Sequence, residues 1–270
     1  MRSHGTDAGL AQAVTRRFNA LRPLAEEDIT ALEHAILEGL MRAGPGEDLI
    51  SEGDPIDSVR VVLSGWLYRH KTLEDGRRQI VNFILPGESC DAHAYLMSTL
   101  DHSITTVTPV AYAEIKRARF EKLMAANRML AEAFMCETLL NNAIQREWAI
   151  NLGRRAAFER VAHLFCEIFE RLRPVGLVDN NSCGLPVTQM DLADATGLSV
   201  VHLNRTLQEL RGAGLIVLRD RILTVADLEA LKNAALYSPG YLRFYQASPP
   251  LIAPPVTRTR GDFTRIPDAH

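Results

Sequence analysis

The spacing of apolar residues divides the chain into stretches of different period. Within 24–41 (LAEEDITALEHAILEGLM), Leu24, Ile29, Leu32, Ile36, Leu37 and Leu40 recur at helical intervals and predict a short amphipathic helix. From residue 42 to about 115 that period disappears. Runs rich in β-branched and aromatic residues, such as SVRVVLSGWLYRHKTL and RRQIVNFIL, are punctuated by Gly44-Pro45-Gly46, Glu52-Gly53-Asp54, Ser64-Gly65, Asp75-Gly76 and Pro86-Gly87. Glu74-Asp75-Gly76, between two such runs, reads as a hairpin turn. Many short strands at this spacing predict an antiparallel barrel or jelly roll rather than a parallel sheet.

The helical period returns at Phe120. Phe120, Leu123, Asn127, Leu130, Phe134, Glu137, Asn141, Ile144 and Trp148 follow alternating steps of three and four, which draw one narrow seam along a helix. A surface helix usually shows a broader stripe, so the seam fits a two-helix dimer contact whose register the Asn residues set. Packing of the helix on its own barrel is the alternative. A second amphipathic helix is expected at 154–172, with Phe158, Val161, Phe165, Ile168 and Leu172 on its buried side, followed by a loop at 173–184 rich in Gly, Asp, Asn and Ser. Six of the thirteen prolines lie beyond residue 237. That end is expected to be a largely disordered tail, with Tyr237, Tyr241, Phe244 and Tyr245 as candidates to dock its beginning.

The most informative segment is 187–225, VTQMDLADATGLSVVHLNRTLQELRGAGLIVLRDRILTV. Thr188 followed by Asp191 is a helix-start signature, and Gly197 suits a helix exit. Ala193 and Gly197 are small enough for a second helix to cross closely. Ser199 would cap that helix, with Val200, Leu203, Leu207 and Leu210 on a buried arc. Val201, His202, Arg205 and Gln208 would point outward, with Asn204 on the flank. Two short helices joined by a glycine-containing turn fit a helix-turn-helix that reads DNA. Arg205 can bond guanine, Asn204 adenine, Val201 can pack on a thymine methyl, and His202 can serve bases or phosphate. Two β-like runs, 215–218 and 222–225, joined by Arg219-Asp220-Arg221, would form a wing on the phosphate backbone.

Composition tempers this picture without changing it. At 270 residues, 47% hydrophobic and 23% charged, the chain has room for two ordinary globular domains. No apolar run approaches the roughly 20 residues a bilayer span needs, and the first residues lead into no signal-peptide core, so a cytoplasmic protein is expected. The net charge is −3, and the stretch 188–221 balances four Arg against four acidic residues. DNA attraction must then come from local geometry, and a protein-interaction or scaffold role for the winged unit stays open. Cys90, Cys136, Cys166 and Cys183 form no close pair, so neither a zinc nor an iron–sulfur site is expected.

The segment TQMDLADATGLSVVHLNRTLQELRGAGLI resembles the helix-turn-helix of the CRP/FNR superfamily of bacterial regulators. The upstream order, a β-roll with turn glycines and then a long helix, agrees with it. The resemblance covers about residues 20 to 236. It implies an α+β chain with a flexible N-terminus (1–19), a cyclic-nucleotide-binding-like β-roll of jelly-roll or cupin-like type (20–118), a dimerisation helix (119–151), a winged helix-turn-helix (152–236) and a tail (237–270). It implies a non-enzymatic homodimer on a palindromic duplex, and contact with RNA polymerase if the protein activates. The implied DNA-binding residues are Thr188, Gln189, Ser199, Val201, His202, Asn204, Arg205, Gln208, Arg219 and Arg221. Many relatives carry Glu where Val201 stands, so their usual half-site is not expected here.

In the nucleotide-binding branch a Gly-Glu pair precedes an Arg-Ser pair that neutralises the cyclic phosphate. The matching stretch 86–106, PGESCDAHAYLMSTLDHSITT, has Asp91-Ala92 and His102-Ser103 in those places. A histidine with a pKa of about 6.5 is a poor substitute for arginine's permanent charge, and Asp91 and Asp101 would repel phosphate. The implied effector pocket is Glu88, Cys90, Asp91, His93, His102 and Ser103, for an unknown small molecule rather than cAMP. Haem ligation by His34, His70, His93, His102 or Met97 is not expected, nor is an iron–sulfur centre. A cupin-type metalloenzyme built on His93 and His102 with Glu88 or Asp91 is a minor alternative. Cys90 is expected to be an inert thiol rather than a redox trigger.

Overall fold

A computed structural model describes residues 7–97 and 99–242 of the chain. It opens with α1 (Asp7–Leu21), where a flexible segment over 1–19 was expected; residues 1–6 lie outside the described part. The helix forms because Ala11, Val14 and Phe18 share one face, each at most 1% exposed, against α2 (Glu26–Glu38), the strand β3 (Ser58–Ser64) and the helix α4 (Arg128–Arg154). Its Phe18 ring lies 4.3 Å from Phe134 of α4.

The roll consists of two antiparallel four-stranded sheets. One runs β1 (Leu40–Ala43), β8 (Val110–Lys116), β3, β6 (Ser89–Cys90); the other runs β2 (Asp48–Ile50), β7 (Ser103–Thr106), β4 (Leu67–Thr72), β5 (Arg78–Ile84). Ile50, Val62, Leu67, Ile84, Ile104 and Val110 pack together between them as the roll core. Gly65 turns the chain from β3 to β4 at φ 85, and a Cβ there would sit 2.4 Å from the Pro109 carbonyl oxygen. No other residue fits. The β4–β5 hairpin turns at 73–77, over the expected Asp75-Gly76 signal, and reaches beyond the roll.

The expected helix from 119 is two helices. After α3 (Arg117–Ala126) the chain breaks at Asn127, whose φ of −128° and ψ of 88° are not helical, and α4 follows. Asn127 spends its side chain on the Leu123 carbonyl, 2.9 Å away, and sets no register. The seam read from the sequence also turns inward. Phe120, Leu130, Phe134, Glu137 and Ile144 are fully buried and Trp148 nearly so, all within the protomer. The face that remains open is offset by one position. Met135, Leu139, Asn142, Arg146 and Ala149 are exposed at steps of four, three, four and three, with Ile150 beside them.

The third unit begins with α5 (Ala157–Leu172). Instead of the loop expected at 173–184, β9 (Val178–Asp179) and β10 (Ser182–Gly184) form a small hairpin turning at Asn180, whose φ is 52°. Strands of two and three residues are too short to show alternation in a sequence. They extend a sheet ordered β11 (Ile216–Arg219), β12 (Ile222–Val225), β10, β9. Between β10 and β11 lie α6 (Gln189–Thr196) and α7 (Val200–Gly212); α8 (Leu228–Ala234) closes the unit. Beyond it Tyr237 and Tyr241 dock on His163, with ring centroids at 4.9 and 6.0 Å. Phe244, Tyr245 and the rest of 243–270 lie outside the described residues. Among the described residues no helix is long and apolar enough to cross a membrane.

Candidate DNA interface and the roll cassette

The turn between α6 and α7 is held by local hydrogen bonds at both ends. Thr188 Oγ1 accepts from the Asp191 amide at 3.1 Å, and Asp191 Oδ2 accepts from the Thr188 amide at 3.0 Å. Gly197 ends α6 at φ 62, and Ser199 Oγ accepts from the His202 amide at 3.2 Å to start α7. Leu203, Leu207 and Leu210 are completely buried, whereas Val201 is 81% exposed. His202, Arg205 and Gln208 share its open face, with Asn204 half-buried at its edge. Among the described residues Arg205 pairs with Glu209, at 3.4 Å and with its side chain 74% exposed, a contact weak enough to yield to a better acceptor. Thr188, Gln189 and Ser199 are exposed at the adjoining helix starts.

Arg219 pairs with Ile222 across the tip of β11–β12, leaving a two-residue turn of Asp220 and Arg221 at φ 51 and 60. Both angles positive is the geometry that matches the twist of a tight hairpin. The wing thus projects Arg219 and Arg221 into solvent.

A further tie was invisible in the sequence. Arg78 of the β4–β5 hairpin donates to Asp194 and Asp191 of α6, at 2.8 Å each, and to the Tyr68 hydroxyl. Gln79 Nε2 adds a bond to the Asp194 carbonyl at 2.6 Å. The roll therefore grips the helix-turn-helix by its first helix and leaves the outer face of α7 open.

The six candidate pocket residues of the cassette do not converge. Glu88 is 1% exposed and faces the helices, between Arg17 of α1 at 2.8 Å and Arg171 of α5 at 2.6 Å. Burial alone would raise its carboxyl, but the two guanidinium groups outweigh that and hold it below the usual range. His93 lies 3.0 Å from Thr138 of α4 and edges onto Phe120. Ser103 accepts from the Glu52 amide at 2.9 Å. Cys90 is buried in the roll core, where burial pushes its thiol up to about 12. Only Asp91 and His102 meet, at 3.0 Å, and the third member of their cluster is Arg69, which sequence reasoning passed over. Among the described residues no three His, Cys, Asp or Glu side chains are grouped as a metal ion would require.

Comparison with known proteins places this geometry. Residues 159–234 match the family described as the Crp-like helix-turn-helix domain, and residues 40–127 match the cyclic nucleotide-binding domain family. The chain is 30% identical over 194 residues to the transcriptional activator protein FnrL of Cereibacter sphaeroides, covering 70% of this chain and 77% of that one. It is 31% identical over 193 residues to the nitrogen fixation regulation protein FixK of Bradyrhizobium diazoefficiens, covering 70% and 80%. The solved structure of FixK2 from Bradyrhizobium japonicum superposes with a TM-score of 0.66 at 24% identity, over 74% of this chain and 98% of that one. Fold, helix-turn-helix and relatives agree: the chain belongs to the CRP/FNR superfamily of transcription regulators, and its partner is DNA.

Proposed function

We propose that the protein acts as a homodimer in the cytoplasm, setting the α7 helix of each protomer into one of two successive major grooves of a palindromic operator. The observation that carries this reading is the asymmetry of α7: three leucines with no exposure on one side, and Val201 at 81% on the other. A recognition helix needs one face locked to its scaffold and the other free. Val201, His202, Asn204, Arg205 and Gln208 contact base edges, and Thr188, Gln189, Ser199, Arg219 and Arg221 contact the sugar–phosphate backbone. The dimer seam is the open stripe Met135, Leu139, Asn142, Arg146 and Ala149 of α4, whose alternating steps of four and three are those of a two-helix contact.

The protein is a regulator without catalytic activity or resident cofactor, and does not respond to cAMP. His102 supports this last point, since carboxylates rather than a phosphate satisfy both its ring nitrogens. Where the operator lies upstream of a promoter, the bound dimer recruits RNA polymerase.

The test is selection of random duplex DNA by the purified full chain. A two-fold symmetric motif with half-sites about 10 bp apart is expected. Arg205→Ala should relax the preference at one base pair per half-site, at a cost of about 1–3 kcal/mol each. A folded dimer that enriches nothing, alone or with cell extract added, refutes the reading.

A further inference from the structure

The interior of the roll holds a charge. Arg69 follows Leu67 by two residues along β4, so its side chain points to the same face, into the roll core. Its side chain is 5% exposed. A cation in such a place needs a counter-ion and hydrogen-bond acceptors. Arg69 Nη2 donates to the Ser89 carbonyl at 3.1 Å, and Nε donates to Asp91 Oδ2 at 3.0 Å. The same Asp91 oxygen lies 3.0 Å from His102 Nε2, and the other ring nitrogen of His102 lies 2.8 Å from Asp101.

Asp91 reaches this position at a cost. Its φ is 55°, a left-handed conformation that glycine adopts freely and aspartate only at a modest cost. Such strain persists only where the surroundings fix it. Arg69 of β4 and His102, in the bend just before β7, thus aim their nitrogens at one carboxylate oxygen, which the left-handed backbone at Asp91 delivers between them. That is the form of an occupied anion site, in a unit matched by the cyclic nucleotide-binding domain family.

We infer that the Asp91 carboxylate is the resident anion of the roll, filling from within the chain the site between Arg69 and His102, so that DNA binding needs no small-molecule anion. The connection outward runs along four consecutive residues. Ser89, whose carbonyl Arg69 holds, donates its amide and hydroxyl to Glu137 of α4 at 2.8 and 2.6 Å. Its neighbour Glu88 accepts from Arg171 of α5, at the base of the winged unit. Vacating the anion leaves Arg69 without its counter-ion and loosens its hold on the Ser89 carbonyl, at the point where the strand joins the roll to both helices. The inference rests on the DNA-binding reading for its output and on the roll alone for its site.

The experiment compares the full-length wild type with Asp91→Gly, which removes the carboxylate and relieves the left-handed strain, and with Asp91→Asn, which keeps the shape without the charge. Operator affinity is read by fluorescence anisotropy in formate and in chloride of equal ionic strength, since salt itself weakens DNA binding. Wild type is expected to respond to neither formate nor cAMP. Asp91→Gly should bind at least about tenfold more weakly in chloride, and formate should restore it to within about threefold. Asp91→Asn should be weak in both, because its amide blocks the vacated space. Thermal melting gives a readout without DNA: formate should raise the midpoint of Asp91→Gly and leave wild type unchanged, even if no operator is ever selected. The inference is overturned if Asp91→Gly binds like wild type, if it is weak with no response to formate, or if cAMP or formate tightens wild-type binding about fivefold. Should Asp91→Gly not fold, Asp91→Asn decides. Wild-type operator affinity overturns the inference, and a loss not shared by random-sequence DNA supports it.

Discussion

The contact between Arg78 and α6 yields the sharpest test of how the roll governs the DNA-binding unit. Arg78 is about a quarter exposed, and its partners Asp191 and Asp194 are 11% and 21% exposed, so this is neither a solvated surface pair nor a buried one. Charge-assisted hydrogen bonds in such a setting stabilise by about 1–1.5 kcal/mol each, between the surface and buried limits. Arg78→Ala removes two of them, together with the bond to Tyr68. The equilibrium between docked and free α6 should therefore shift by about 2–3 kcal/mol, or roughly 30- to 150-fold. In the proposed function the docked arrangement, which leaves the outer face of α7 open, is the DNA-competent one, so its loss should weaken binding. The apparent Kd rises as the reciprocal of the docked fraction, so about 150-fold is the ceiling per protomer and a fall of at least about tenfold is expected on an operator. Random-sequence DNA, bound through phosphates, should be affected far less.

Two assays separate this from local damage. Hydrogen exchange should show loss of protection along α6 in Arg78→Ala with α5 unchanged. A double-mutant cycle should use Asp194→Asn rather than Asp191, since Asp191 also caps α6. A coupling of about 1 kcal/mol or more is expected. Additive effects, or operator affinity within about twofold of wild type with unaltered α6 exchange, would refute the reasoning.

Other consequences can be checked directly. Leu139, 59% exposed at the centre of the α4 stripe, should tolerate Arg without unfolding while the proposed dimer dissociates in sedimentation; a Leu139→Arg variant that stays dimeric places the interface elsewhere. Burial pushes the Cys90, Cys166 and Cys183 thiols up to about 12, so under native conditions a thiol reagent should modify only half-buried Cys136, and all four after denaturation. His163 is fully buried, and burial together with Arg155 lowers its pKa to about 3, although Glu147 lies 3.3 Å from its Nε2. That carboxylate is already engaged by Arg155 at 2.6 Å, so it does not offset the burial that keeps the histidine neutral. The unfolded chain takes up this proton below about pH 6.5 and the folded chain does not, so stability should be full above that pH and fall by up to about 1.4 kcal/mol per unit below it. The acid loss should be shallower in His163→Gln; equal slopes in urea titrations at pH 5 and 7 would remove His163 from the account.

What the sequence revealed follows from which signals are local. The helix-turn-helix was legible because its determinants lie within a few residues of one another: Thr188 with Asp191, Gly197 at the exit, Ser199 with the amide three residues on, and leucines at helical spacing. The roll was legible in outline for the same reason, its turns being marked by glycines. Asp7–Leu21 forms a helix where the resemblance implied a flexible N-terminus: Ala11, Val14 and Phe18 share its buried face, beside the charged Arg16 and Arg17. Arg17 is in fact fully buried against Glu88.

The long helix shows why a correct period can still give a wrong surface. A seam at alternating steps of three and four says that a helix has a narrow apolar contact; it does not say with what. On α4 two such seams run side by side, offset by one position. The richer one, Leu130, Phe134, Ile144 and Trp148, is taken by α1, α3, α5 and the roll, and the sparser one with Met135, Leu139 and Ala149 is left open. An apolar count therefore favours the inner seam as the dimer contact, although the outer one alone has the exposure to meet a second chain. The cassette failed for a related reason. Glu88, Asp91 and His93 are close in sequence, but the two-residue strand β6 and the left-handed turn of the chain at Asp91 lie between them and send their side chains to different partners. The partners of Glu88 come from 71 residues upstream and 83 residues downstream, at Arg17 and Arg171. Only the closed fold brings those charges together, and with them the route by which the roll holds the winged unit.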